Sequence, residues 1–331
     1  MADAPATIRD VARAAGLSVA SVSRALNGLS SVHPDTRSRV LDAARALNYT
    51  PNLAARSLST SRSHAIGVVL PDLHGEFFSE LVRGMDKAAS ERGYLLLLSN
   101  MHADSGLAGQ AMQTMRGRVD GLIVMAPQLA ARDLEGALPS GLRTVLVNSP
   151  EEAGRHALRV DNIGGAASMI GHLLNTGRRR IVHIAGMTDN RDGAERCQGY
   201  LEAMAALAPE LPTLVRAGNF HEASGEQVVR ELLAENVEFD AIFAANDMMA
   251  LGAMTALSEA GIDVPGKVAV AGFDDVPIAR YLKLTTMRVD MAGIGVRAVA
   301  RLIDEIEGTA GEAGLDSIIP ELVLRASTQF K

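Results

Sequence analysis

From Ala65 onward the chain alternates short apolar runs with longer amphipathic stretches, and this alternation limits its fold more than any other feature. The apolar runs are AIGVVLPD (65–72), YLLLLSN (94–100), GLIVMA (121–126), TVLVN (144–148), RIVHIAG (180–186), LVRAGN (214–219), AIFAAN (241–246) and VAVAGFDD (268–275). Between them, periodicity predicts helices over Phe77–Arg92, Gly164–Thr176, Gly193–Ala206, Ser224–Leu233, Asp247–Ala260 and Met291–Glu307. Strands that are apolar on both faces must be covered on both faces. Strands separated by helices run parallel, so the pattern predicts doubly wound α/β sheets. Asp72, Asn100, Asn148, Asn219, Asn246 and Asp274 end six of the runs. Ligands of open α/β sheets bind beyond the carboxyl ends of the strands, so these endings point to a small-ligand cleft. The same residues are good caps for the helices that follow, and one position can do both.

The N-terminal residues read differently. Thr7 to Asn27, TIRDVARAAGLSVASVSRALN, forms two short helices around the turn Ala15-Gly16-Leu17. Thr7 and Asp10 have capping-box spacing, and Gly16 can take a positive φ cheaply. Ile8, Val11 and Ala12 face inward from the first helix. Ser18 caps the second, whose inner face is Val22, Ala25 and Leu26. Val19, Ala20, Ser21, Ser23, Arg24 and Asn27 are left pointing outward. This is either a helix-turn-helix, whose second helix enters the DNA major groove, or a solvated hairpin that touches nothing. Charge separates the two readings. Residues 1–62 hold eight arginines, no lysine and four aspartates, a net +4, which leaves −11 for the remainder of a chain whose total is −7. A basic head on an acidic body suits phosphate contact through the head alone.

His33-Pro34-Asp35 opens a third helix, with an apolar stripe of Val40, Ala43, Ala44 and Leu47. Asn48-Tyr49-Thr50-Pro51 ends it, because the residue before proline resists helix. Asn52–Leu58 is a short helical candidate, marginal alone in water, followed by a polar linker. The expected domains are therefore a small all-α head at 1–50, a hinge helix and linker at 51–63, and an α/β body at 64–331. A length of 331 residues with 47% hydrophobic content supports such a multi-domain chain. The single Cys197 permits no internal disulfide, and no Cys/His cluster has zinc-ligand spacing, so neither metal nor cofactor is expected. Charges at Arg9, Asp10 and Arg13 break any signal-peptide run, and no apolar stretch is long enough to span a bilayer, so a cytoplasmic location is expected.

TIRDVARAAGLSVASVSRALNG, LNYTPNLAARSL, RVDGLIVMA, RVDN, ANDMMALGAM and AGFDD followed by LTTMRVD occur in that order. Together they resemble the LacI–GalR family of transcriptional repressors, essentially end to end. The resemblance implies a body similar to periplasmic sugar-binding proteins, with two subdomains crossed by three strands. Its N-subdomain would span about 64–161 and 291–320, and its C-subdomain about 162–290 and 321–331. It places Val19 and Ala20 at the recognition-helix positions that vary base preference. Both are apolar, so they can meet thymine methyls but make no bidentate hydrogen bonds. Arg24 then either reads a guanine edge or holds a phosphate. Thr7, Ser18, Ser21, Ser23, Asn27 and Tyr49 position the backbone. Leu58 matches the hinge leucine that wedges into the minor groove, with Asn52 and Ala55 on the same approach. His33 departs from the serine of many relatives and predicts a weaker start to the third helix.

In the cleft, the resemblance assigns effector contact to Asp161, Arg196 and Asp274. Phe78 and Phe220 would stack on the ligand, and Asn246 would reach its hydroxyls. The loop Asn190-Arg191-Asp192 would vary with ligand, and Asp72, Phe77 and Asn148 complete the expected set. Each charge could equally sit in a structural ion pair. The implied function is a homodimeric repressor of carbohydrate-metabolism genes, binding a near-palindromic operator under control of a sugar-like effector. A purine effector is the alternative. Phe77–Met85 and Met248–Ala256 are the implied dimer helices, and ELVLRAST (321–328), strand-like and without a heptad helix after it, predicts a dimer rather than a coiled-coil tetramer. Two other classes compete with this reading. Gly293-Ile294-Gly295-Val296-Arg297-Ala298 matches a dinucleotide fingerprint after a short RVD strand (288–290), but only Asp316 lies about twenty residues beyond. A pure sugar carrier would share the body but lack the basic head.

Overall fold

The computed structural model describes residues 6–26, 32–49, 62–73, 75–101, 105–150 and 154–329. Asn27, Asn52, Ala55, Leu58 and the rest of the expected hinge helix lie outside the described residues. The chain divides into two compact units, 1–63 and 64–331.

The first unit packs α1 (Ile8–Ala15), α2 (Val19–Leu26) and α3 (Pro34–Ala46) around Val11, Ala12, Ala15, Val22, Ala25, Val40 and Ala44. Its termini follow the sequence closely. The Thr7 backbone N–H and Oγ1 both donate to Asp10, at 3.0 and 2.6 Å, and these bonds hold the Asp10 carboxyl below its ordinary range. Gly16 ends α1 at φ 62°, where a Cβ would be strained. Ser18 Oγ accepts from Ser21 N–H to cap α2. His33 does cap α3: its Nδ1 accepts from Asp35 N–H, at a long 3.4 Å. Leu47 departs from the expected stripe. It falls just past the helix end and is exposed.

The second unit contains two six-stranded sheets. The N-lobe sheet has the order β11-β5-β4-β3-β1-β2, all parallel. Its strands are β1 (Ala65–Leu70), β2 (Leu95–Asn100), β3 (Gly121–Met125), β4 (Arg143–Val147), β5 (His156–Val160) and β11 (Leu315–Ile318). The C-lobe sheet has the order β12-β10-β9-β8-β6-β7. It is built from β6 (Ile181–Ala185), β7 (Leu214–Ala217), β8 (Ala241–Ala244), β9 (Ala269–Asp274), β10 (Thr285–Arg288) and β12 (Glu321–Val323). Only β12 runs antiparallel, against β10. The chain passes between lobes three times, after β5, after β10 and after β11.

Helices cover both faces. They are α4 (Glu76–Glu91), α5 (Ser105–Met115), α6 (Ala131–Ala137), α7 (Asn162–Asn175), α8 (Arg191–Leu207), α9 (Glu222–Ala234), α10 (Asp247–Glu259), α11 (Pro277–Tyr281) and α12 (Met291–Glu307). Small residues let helices approach. A Cβ on Gly84 of α4 would fall 2.0 Å from the Ala292 carbonyl of α12, and one on Gly295 would fall 2.4 Å from the Leu81 carbonyl. The GxGxxA stretch therefore makes a helix crossing, with Asp290 capping it through Gly293 N–H. No described helix is long and apolar enough to cross a membrane.

Candidate functional site

Between the lobes lies a cleft of about 460 Å³, within the range of small-molecule sites. Of the polar strand endings, Asp72, Asn219, Asn246 and Asp274 reach it, whereas Asn100 and Asn148 do not. Phe77 and Phe78 enter from the first turn of α4, with ring centroids 5.1 Å apart and edge-on.

Phe220 faces them from the loop after β7, at φ 70°, an unfavourable conformation for a non-glycine residue. Two features hold it there. Asn246 Nδ2 donates to the Phe220 carbonyl at 2.9 Å, while Asn246 Oδ1 caps α10 by accepting from Met249 N–H. The ring packs against Gly186, where any Cβ would meet it at 2.1 Å.

The polar floor centres on Arg196, which is almost wholly buried. Its Nε donates to Asn162, its Nη1 to the Ala245 carbonyl, and its Nη2 lies 3.1 Å from Asp274 Oδ1. The guanidinium sits 3.9 Å above the Phe273 ring. Burial pushes the Asp274 carboxyl up to about 6, against the pull of Arg196. Asp192, held by Asn162 and Asn148 at 2.9 and 3.3 Å, is also raised by burial. Asp247 rises well above the ordinary carboxylate range, through burial and the neighbouring Asp274, although Thr286 and Val276 N–H donate to it.

Three residues expected in the cleft are placed elsewhere. Asp161 turns back to cap α7 by accepting from Gly164 N–H. Asn148 is buried behind the wall, where it bridges Val160 N–H and Asp192. Arg191 pairs with Glu195 on its own helix, one turn on. Asn190 and Asp192, the other two loop residues, do line the cleft. Sequence reasoning missed Glu76, Gln128, Asp189, Glu222 and Asp247 on the wall. Gln128 follows an apolar strand ending, and Glu222 begins a helix rather than ending a strand. Cross-lobe bonds among the described residues tie the walls, including Asn148 to Asp192, Arg159 to Glu195, Ile278 N–H to Glu76, and Arg191 N–H to the Pro127 carbonyl.

His183 shows what an interior histidine looks like here. It stacks between Tyr200 and Phe243, and burial pushes it down to about 4, so it is a neutral core residue.

On the head, Ser18, Val19, Ala20 and Arg24 are exposed along one side of α2, with Ser21 and Ser23 half-buried. Arg24 Nε rests on the Ala20 carbonyl at 3.3 Å, a weak tether that leaves the guanidinium on the surface. Thr7 is exposed and Tyr49 half-buried against the head core. The expected dimer helices bury Leu81 and Met85 of α4 and Met249, Ala250 and Ala253 of α10, and leave Phe77, Val82, Met248, Leu251 and Met254 half-buried. Exposed apolar residues also occur on the edge strand β2, at Leu95, Leu97 and Leu98.

A helix-turn-helix head joined to a two-lobed body with a small-molecule cleft defines a DNA-binding regulator. Residues 7–52 match the model of bacterial regulatory proteins of the lacI family, and residues 170–328 match a periplasmic binding protein-like domain. The HTH-type transcriptional regulator GalS of Salmonella typhimurium is 37% identical, over 98% of this chain and 97% of that protein. The lac repressor dimer bound to operator and the anti-inducer ONPF superposes with a TM-score of 0.89 at 29% identity, covering 99% of this chain and 100% of that one. The transcriptional regulator CelR in complex with cellobiose superposes with a TM-score of 0.71 at 32% identity, covering 97% and 99%. The chain belongs to the LacI family of transcriptional regulators.

Proposed function

We propose that this protein is a homodimeric repressor of carbohydrate-metabolism genes, gated by a sugar bound between its lobes. The observation that carries the sugar reading is the cleft wall: three phenylalanine faces set against buried carboxylates, amides and a planar arginine. Aromatic faces suit the apolar face of a pyranose, and the polar groups suit its hydroxyls. A relative that holds cellobiose supports the same reading. The relatives are transcription regulators, and we take the cleft to bind without turnover. The protein works in the cytoplasm, on DNA.

Two heads read half-sites of a near-palindromic operator, since two-fold protein symmetry imposes symmetry on the DNA. Val19 and Ala20 meet thymine methyls, Arg24 supplies the polar base contact, and Leu58, Asn52 and Ala55 bend the operator centre. Effector binding changes the angle between lobes and so the spacing of the hinge segments. Thermal-shift screening against sugars and purines, followed by operator anisotropy with each hit, tests the scheme. A sugar should raise the melting temperature and change operator affinity. Stabilisation by a purine alone would sink the carbohydrate assignment.

A further inference from the structure

Four helices that line the cleft with first-turn residues each carry a carboxylate in that turn: Glu76 in α4, Asp192 in α8, Glu222 in α9 and Asp247 in α10. A helix N-terminus ordinarily favours an anionic ligand, because unpaired N–H groups and the macrodipole converge there. Here each helix already carries an acidic group of its own in that place. Side-chain charge points the same way. Seven carboxylates line the cleft, and Arg196 is the sole arginine or lysine among the described lining residues. All three of its nitrogens are already engaged, by Asn162, Ala245 and Asp274.

The unmatched polar atoms on the wall are all acceptors. Glu222 Oε2 and Gln128 Oε1 are buried without a hydrogen-bond partner, and Asp274 Oδ1 has only its ion pair with Arg196 at 3.1 Å. Asp274 itself is only 5% exposed. A buried acceptor left unpaired is costly, and a ligand recovers that cost only by donating O–H or N–H. A phosphate or carboxylate brings further acceptors and a negative charge to a wall that has both in excess.

We propose that the cleft selects a sugar bearing neither phosphate nor carboxylate, and that Glu222 and Gln128 are residues that enforce the choice. This rests on the sugar reading above and narrows it to neutral or amino sugars. Hydroxyl or amino groups donate to Glu222 Oε2 and Gln128 Oε1, while Glu222, at the start of α9, repels an anionic substituent.

Isothermal titration of the full-length protein with matched hexoses tests this. Glucose and galactose would each be offered as the free sugar, the 2-amine, the 6-phosphate and the uronate, with cellobiose and adenine alongside. The free or amino form of a binding hexose should bind more than tenfold tighter than its 6-phosphate and uronate. Glu222→Gln should narrow that gap, and Glu222→Lys should close it, with melting curves confirming that both variants fold. A phosphate or uronate binding within tenfold of the free sugar overturns the proposal and leaves the sugar reading standing. So does a gap unchanged in both folded variants. Cellobiose binding with Gln128→Ala weakening it at least fivefold supports the acceptor role, and unchanged affinity in that variant removes it. Failure of every sugar, with or without adenine binding, overturns both readings together.

Discussion

Burial holds the Asp274 carboxyl up at about 6 although Arg196 lies beside it. In the unfolded chain the same group titrates near 3.9. The folded state therefore binds this proton more tightly than the unfolded state does. Its contribution to stability is complete below about pH 4 and is lost as the pH rises through about 6. A two-unit difference corresponds to roughly 3 kcal/mol. Asp274→Asn carries no such proton, so its stability relative to wild type should improve by about 2–3 kcal/mol between pH 4 and pH 7.5. Urea unfolding of both proteins across that range checks this, and parallel curves would refute it. On the head, Arg24→Ala should weaken specific operator binding far more than binding to random DNA, because only a base contact carries sequence information. Equal losses in the two titrations would make Arg24 a phosphate contact.

Elements whose surroundings are uniform were legible from sequence. β1, β3 and β9 are buried along their whole length and read as unbroken apolar runs. The predicted Met291–Glu307 helix agrees with α12 at both ends. What was not legible depends on partners. β5 carries His156 and Arg159, whose place in a sheet is set by the neighbouring strands and by Glu195 across the cleft. β11 and β12 are short edge strands, and α5, α6 and α11 give little periodicity to read. The RVD run names only the end of the β10 neighbourhood, since its hydrogen-bonded part is Thr285–Arg288. The site divides likewise. Strand endings found Asp72, Asn246 and Asp274, while Gln128 and Glu222 are brought in by loop and helix placement. That placement rests on a close crossing of α9 and α10. A Cβ on Gly252 would fall 1.9 Å from the Glu222 carbonyl, and one on Gly225 would fall 2.0 Å from the Met249 carbonyl. Gly252→Ala should therefore push the helices apart at about 1–3 kcal/mol, as overpacking does. The melting temperature should fall by several degrees and effector affinity should drop with it, since Glu222 begins α9 and Phe220 lies in the loop just before it. A melting curve and an effector titration that both match wild type would show the crossing to be slack.

At the scale of the whole molecule, the open question is how two heads come to act together. Each head presents a small reading surface in which Val19 and Ala20 make no hydrogen bonds to bases, so one head alone has little with which to discriminate. Pairing the heads through the body makes the second contact intramolecular, and this multiplies affinity without any new side chain. The body shows where a second copy can seat. β2 is the open edge of its sheet, and it exposes Leu95 at 60%, Leu97 at 39% and Leu98 at 43%. An exposed apolar edge strand left bare is an aggregation hazard, so a second copy is its natural cover. Leu97→Glu with Leu98→Glu should therefore split the dimer while sparing the buried faces of β1 and β3. Sedimentation would then report a species of 34.9 kDa rather than twice that mass. Operator affinity should fall at least a hundredfold, whereas sugar binding to the single body should persist, because the cleft lies between the two lobes of one body. A variant that still sediments as a dimer would move the interface elsewhere on the body. A monomer that kept full operator affinity would show that one head suffices, and the two-fold reading of the operator would fail.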